Sequence, residues 1–153
     1  MYEKLPEQLK KDGRFCLWKY EERNGRMTKV PYQINGKRAS SADKKTFSEF
    51  RLAVNAMDGY DGIGIGAFDD FCMVDIDHCV SGGKLTQMAE DIVEEMDSYT
   101  EISPSGTGVR IVCKASSLSY DTDRYYINNQ KLGLEIYAAG VTRKFCTLTG
   151  NVI

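Results

Sequence analysis

The stretch Phe71-Cys72-Met73-Val74-Asp75-Ile76-Asp77 constrains this chain more than any other, because it is an apolar run that ends in two acids one residue apart. In extended backbone, side chains alternate between faces with period two, so Val74 and Ile76 share one face while Asp75 and Asp77 share the other. Two carboxylates side by side repel, and an opposite charge is wanted between them. A divalent metal answers that need, since a hard cation such as Mg²⁺ takes carboxylate oxygens and keeps water or phosphate oxygens as its remaining ligands. An acidic turn at the end of a strand would leave the same trace, so the partners of the pair have to be sought elsewhere in the chain.

A length of 153 residues suits one domain with a proper core, spanning 1–153, and is short for two. Hydrophobic and charged contents of 42% and 27% are ordinary globular values, so nothing points to a fibrous or disordered chain. No apolar run reaches the length of a bilayer span, and Met1-Tyr2-Glu3-Lys4-Leu5-Pro6 lacks the apolar segment of a signal peptide. The expectation is a soluble, cytoplasmic protein with no membrane partner. Cys16, Cys72, Cys79, Cys113 and Cys146 stand singly among apolar neighbours and form no CxxC pair, as expected of reduced core residues. The net charge of -2 argues against a surface committed to duplex DNA. It leaves room for a local basic groove, to which Lys10-Lys11, Lys37-Arg38, Lys44-Lys45 and Arg143-Lys144 could contribute.

Taken in order, Leu5 to Lys11 reads as a short helix stopped at Asp12-Gly13. Phe15–Tyr20 and Thr28–Tyr32 read as a hairpin about Asn24-Gly25, with Pro31 placing the second arm at an edge. Phe47, Phe50, Val54 and Met57 are spaced for an amphipathic helix from Thr46 to Met57, and Leu85 to Met96 gives a second one. Ile63–Phe68 and Phe71–Asp77 are expected to pair as antiparallel strands across Asp69-Asp70. Further strands are expected at Thr100–Ile102, Val109–Cys113, Leu134–Tyr137 and Lys144–Thr149. The polar, tyrosine-rich stretch from Ser116 to Gln130 reads as a loop or irregular hairpin, with Asn128-Asn129 a candidate turn. The fold class is α+β: one antiparallel or mixed sheet, helices packed on one face, the other face open as a site.

Two patches could join the aspartates. One is the small-residue loop Ser103-Pro104-Ser105-Gly106-Thr107-Gly108 leading to Arg110. Glycine lets backbone N–H groups approach phosphate, Ser103 and Ser105 can donate hydrogen bonds, and Arg110 adds a charged fork suited to phosphate oxygens. The other is Glu135, an acid framed by Leu134 and Ile136 on a strand. Three strand-borne carboxylates with a phosphate-type loop are what two-metal phosphoryl transfer needs.

The order of these motifs resembles the primase-polymerase (prim-pol) domain of the archaeo-eukaryotic primase superfamily, as found at the N-terminus of phage and plasmid replication proteins. Val74-Asp75-Ile76-Asp77 resembles its metal-binding hDhD motif, Leu134-Glu135-Ile136 its third acid, and Ser103 to Ile111 its nucleotide-contacting sxH segment. Arg110 stands where the family's histidine is expected; it holds phosphate with permanent charge but gives up no proton near neutral pH. The resemblance implies an RRM-like palm and Mg²⁺ or Mn²⁺ on Asp75, Asp77 and Glu135. It further implies a nucleoside triphosphate held by Ser103, Ser105, Gly106 and Arg110, and a single-stranded DNA template. Lys29 and Arg143 are further candidates for phosphate or template contact, and Trp18 and Tyr32 are either core or base-stacking residues. The implied activity is nucleotidyl transfer by a DNA primase/polymerase domain, with a helicase domain or subunit as a further partner and more of a replication protein beyond this domain. The alternatives are a catalytically weakened module that binds single-stranded nucleic acid or nucleotides for a helicase, and a metal-dependent nuclease.

Overall fold

The computed structural model describes residues 1–116, 121 and 128–153. Its helices are α1 (Glu7–Asp12), α2 (Phe50–Asn55) and α3 (Gln87–Met96), with a short 3-10 turn at Lys44–Thr46. Its strands are β1 (Phe15–Arg23), β2 (Arg26–Tyr32), β3 (Gly62–Gly66), β4 (Phe71–Ile76), β5 (Val80–Ser81), β6 (Lys84–Leu85), β7 (Tyr99–Ile102), β8 (Val109–Lys114), β9 (Asn128–Asn129), β10 (Leu134–Tyr137) and β11 (Phe145–Thr147). The fold is α+β, and every strand pairing among the described residues is antiparallel.

The strands form two main sheets where the sequence suggested one. The first has the order β11-β3-β1-β2, the second β7-β8-β4-β10-β9, and β5 and β6 make a separate ribbon. Both β3 and β4 are buried along their whole length. A strand so enclosed has no water for its backbone groups and needs a neighbour on each edge. For β3 these are β1 and β11, and for β4 they are β8 and β10, so the expected β3–β4 hairpin does not form. The chain crosses between sheets instead, through a turn in which Asp69 takes a φ of 56°.

Alternation along β4 shows what each face meets. Phe71 and Met73 belong to a core with Phe15, Leu17, Ile63 and Ile65 of the first sheet, closed by Leu5, Leu9 and Ala53. Val74 and Ile76 belong to a second core with Val109, Ile111 and Ala89 of α3, against which Met88, Ile92, Val93 and Met96 pack. One face of the second sheet is thus covered by α3 and the other by the first sheet's core. Each half-buried aliphatic on α3 contributes on the order of 1 kcal/mol of apolar burial. Thr86 starts that helix by accepting from Ala89 N, so Leu85, expected inside it, falls in β6.

Several expectations hold and several shift. The Asn24-Gly25 turn has positive φ at both residues (52° and 73°), as a tight hairpin with matching twist requires, and Pro31 lies on the edge strand β2. The helix expected from Thr46 to Met57 is confined to α2. Ahead of it, Ser48 exchanges backbone hydrogen bonds with Phe15 (2.7 and 2.8 Å), and Phe47 packs edge-on against Phe68 with centroids 4.9 Å apart. Sheet pairing and aromatic packing there override helical periodicity. Asn128-Asn129 is strand β9 rather than a turn, and most of the stretch from Ser116 to Gln130 lies outside the described residues. Trp18 and Tyr32 are core residues. The five cysteines are free thiols, four of them buried.

β11 ends at Thr147, short of the expected Thr149, because the chain leaves the first sheet there and joins the second. Ile102 N donates to Asn151 O (2.8 Å), and Ile153 N donates to Thr100 O (3.1 Å). Glu101, fully buried, anchors the crossing: it accepts from Thr149 N at 2.8 Å, Gly150 N at 2.9 Å and Tyr99 Oη at 2.7 Å. Glu101→Ala strands these donors, so it should cost about 3 kcal/mol or more. For a domain of this size that is a fall of roughly 6 °C or more in Tm, measurable by thermal circular dichroism.

Candidate functional site

Strand register brings the chemistry together. Glu101 lies opposite Arg110, Arg110 opposite Asp75, Asp75 opposite Glu135, and Glu135 opposite Asn128. Residues directly opposite on neighbouring strands share a face, so these five form one polar row across the second sheet. The row lies on the face turned toward the first sheet, where the apolar packing of Phe71, Met73 and Val112 gives way to charge. A cleft of about 710 Å³ opens there, well within the size of small-ligand sites. Its second-sheet side carries Asp75, Asp77, Arg110, Glu135 and Tyr137; its first-sheet side carries Tyr20, Thr28, Lys29, Thr147 and neighbours, with Lys144 between.

Asp75 is buried within β4, and Asp77 is exposed just past its end. Asp77 is fixed through its backbone: its N–H donates to Gly133 O at 2.8 Å. Gly133 has a φ of 65°, and a Cβ on it would fall 2.8 Å from Asp77 O, so only glycine fits this close approach. The Arg110 guanidinium, itself buried, donates from Nε to Asp75 Oδ1 at 3.1 Å and from Nη1 to Thr147 O at 2.8 Å and to Thr147 Oγ1. Burial opposes its charge, but the neighbouring acidic groups of Cys146 and Asp75 outweigh that and raise its pKa. Tyr137 Oη stands 3.3 Å from Asp75 Oδ2 and 3.1 Å from Glu135 Oε2, and Lys144 Nζ pairs with Glu135 Oε1 at 3.3 Å. Burial, then the charge of Asp75, lifts the Tyr137 phenol well above its ordinary range, so it stays a neutral donor.

Two charges in the cleft have no hydrogen bond or ion pair among the described residues, and they are of opposite sign: Asp77 and Lys29. Desolvation, followed by the charge of Asp75, holds the Asp77 carboxyl above its ordinary value of 3.8. Desolvation, followed by the charge of Arg110, pushes the Lys29 ammonium below its ordinary value. Each would be relieved by a ligand charge of the opposite sign.

Of the residues singled out in the sequence, Asp75, Asp77, Glu135, Arg110 and Lys29 meet in this cleft, and Ser103, Ser105, Gly106 and Arg143 do not line it. The Ser103 hydroxyl is turned inward, accepting from Gly108 N at 3.2 Å and lying 3.0 Å from Ser105 Oγ, while Gly106 lines a separate groove with Ile102 and Asn151. Arg143 is exposed beside the cleft, its carbonyl accepting from Ser41 Oγ at 2.8 Å. Tyr137 carries no such expectation from the sequence, and Lys144 enters there only as half of the Arg143-Lys144 pair. Tyr137 stands two residues after Glu135 on the same strand, so the period-two rule that linked the aspartates could have found it. Of the basic pair Arg143-Lys144, it is Lys144 that lines the cleft.

Among the described residues no three His, Cys, Asp or Glu side chains are gathered closely enough to hold a metal ion as they stand. The donor set nevertheless fits a hard divalent cation. Asp75 and Glu135 lie directly opposite each other, each already beside one protein cation, Arg110 and Lys144, and Asp77 next to them is an unpaired carboxylate. Carboxylate oxygens with open positions suit a metal that keeps water or phosphate ligands.

An antiparallel α+β domain carrying an acid-and-base cleft between its sheets is the class that fold and site define. No protein-family model matches the chain. It is similar to the DNA primase-polymerase of Nitratiruptor phage NrS-1, with 32% identity over 151 residues covering 94% of this chain and 20% of that protein. The chain thus spans about one fifth of that relative's length, and the similarity supports a relationship to primase-polymerases. No helix among the described residues is long and apolar enough to cross a membrane.

Two outcomes follow from the paired and unpaired charges. Arg110→Ala leaves Asp75 buried without its cation and should cost about 3–5 kcal/mol in urea unfolding. Because the Asp77 pKa is raised on folding, its protonated form favours the fold; that contribution is full below 3.8 and lost as pH rises through the folded value. Metal-free Asp77→Asn should therefore melt no lower than the parent protein at neutral pH, with a smaller rise in Tm on adding Mn²⁺.

Proposed function

We propose that this chain is a primase-polymerase domain of the archaeo-eukaryotic type that joins nucleoside triphosphates onto a growing strand along a single-stranded DNA template. The observation that carries this reading is the pair of unpaired, oppositely charged groups in one cleft, Asp77 and Lys29. A metal–triphosphate complex presents both signs at once and would complement both. The sequence similarity to a protein named DNA primase-polymerase supports the same reading. In it the second sheet serves as the palm, and the acids of the polar row are its floor.

Asp75, Asp77 and Glu135 would hold Mg²⁺ or Mn²⁺. When bound, such a cation acidifies the attacking 3′-hydroxyl and neutralises charge on the leaving group. Lys29 and Lys144 would hold phosphate oxygens. Arg110 adds Nη2, which makes no hydrogen bond among the described residues, while its Nε keeps Asp75 oriented and its Nη1 holds Thr147. The new bond joins the 3′-oxygen to the α-phosphorus as the hydroxyl proton passes to water, the bond from that phosphorus to the bridging oxygen breaks, and pyrophosphate leaves. Arg110 takes no proton in this scheme; its charge is permanent. The exposed Ser105 and Gly106, with Ser103 behind them, adjoin Asp77 through Gly108, where a Cβ would fall 3.4 Å from Asp77 Cα. They would touch the triphosphate only from outside the cleft. Arg143, beside Lys144, would contact template phosphate. A helicase domain or subunit would act on the same strand.

Primer extension and de novo synthesis with Mg²⁺ or Mn²⁺ test the proposal. Asp75→Ala and Asp77→Ala should each lower extension at least 10²-fold, and the Asp77 variant should remain folded. Extension at the parental rate in the Asp77 variant sinks the metal-site assignment. A parent protein that binds template and nucleotide without extending a strand is the binding module instead, and DNA hydrolysis without added triphosphates identifies a nuclease.

A further inference from the structure

The two walls of the cleft differ in kind. The second sheet contributes the acids and Arg110, whereas the first contributes Tyr20, Met27 and Pro31 around Lys29. On β1 and β2, Tyr20 lies opposite Lys29, Trp18 opposite Pro31 and Glu22 opposite Met27, so these side chains share one face of the hairpin. Tyr20 is 39% exposed and Met27 63% exposed, an unusual investment of large apolar surface beside a charged site. The Tyr20 ring is not loose. It packs edge-on against Trp18, with centroids 5.2 Å apart and planes at 87°, and its backbone N–H donates to Asp61 Oδ2 at 2.7 Å. Trp18 behind it is buried, its Nε1 donating to Ile63 O at 3.1 Å. A braced, exposed aromatic opposite an unpaired ammonium matches the two ends of a nucleotide, a flat base and an anionic phosphate.

We propose that the β1–β2 wall is the nucleobase platform of the cleft, with Tyr20 stacking the base of the incoming nucleoside triphosphate, Met27 and Pro31 flanking it, and Lys29 taking phosphate. This rests on the nucleotide-site reading above. Stacking on a π-face is tolerant of base identity, which suits a site where the template makes the choice. Aromatic–base stacking corresponds to roughly 5- to 150-fold in affinity on removal of the ring.

Calorimetric titration in Mg²⁺ separates the two ends of the ligand by comparing ATP with inorganic triphosphate. The parent protein should bind ATP about 10-fold or more tightly than inorganic triphosphate. Tyr20→Ala should bring the two close to parity with triphosphate affinity unchanged, Tyr20→Phe should retain the advantage, and Met27→Ala should lose about 2- to 3-fold. GTP, CTP and UTP should suffer comparable losses in Tyr20→Ala. An ATP advantage that survives Tyr20→Ala, or a loss confined to one base, overturns the platform. Failure of the parent protein to bind inorganic triphosphate overturns the nucleotide site itself, and the platform with it.

Discussion

The guanidinium of Arg110 is the tie on which the rest of this structure depends. It is buried, it orients Asp75 within the second sheet, and it reaches Thr147 on the edge strand of the first. A buried ion pair is a poor source of net stability, because desolvating both charges offsets most of their attraction. What Arg110 supplies is a fixed relation: Nε holds Asp75 within its own sheet while Nη1 holds Thr147 of the other. Apolar packing fills the space on one side of that tie, and the cleft opens on the other.

The cleft is almost balanced within itself. Asp75, Asp77 and Glu135 face Arg110, Lys29 and Lys144, and most of these charges are already engaged. The Tyr137 hydroxyl has one proton and two carboxylate neighbours, so it satisfies one of them at a time. Such a site discriminates by completeness. A lone anion or a lone cation relieves one strained group and leaves the other, while a ligand bearing both signs relieves both.

How much of this could be read from the residues follows from the range of each rule. Period two along a strand is local, and it sets Asp75 and Asp77 on one side whatever the rest of the fold. It extends equally to Glu135 and Tyr137. The turn at Asn24-Gly25 and the edge position of Pro31 were legible for the same reason, since both depend on the backbone of the residues themselves. The row from Glu101 to Asn128 was not, because it is a matter of register between strands far apart in sequence. Arg110 shows the limit most clearly: its residue type announces an affinity for oxygen anions, but only the register decides that Asp75 answers first. The splitting of β3 and β4 between sheets was hidden likewise, since a short turn between apolar runs ordinarily means a hairpin.

The bond from Asp77 N to Gly133 O ties the turn after β4 to the start of β10. Glu135 lies two residues beyond Gly133, and β10 is zipped to β4 along its length. All three acids are therefore mounted on one girder of paired strands, Asp75 on β4, Asp77 tied just past its end and Glu135 on β10, so their mutual spacing is a property of a single strand pair. Width, which decides what the cleft admits, is set by how the two sheets pack; the spacing of the acids is set within one of them.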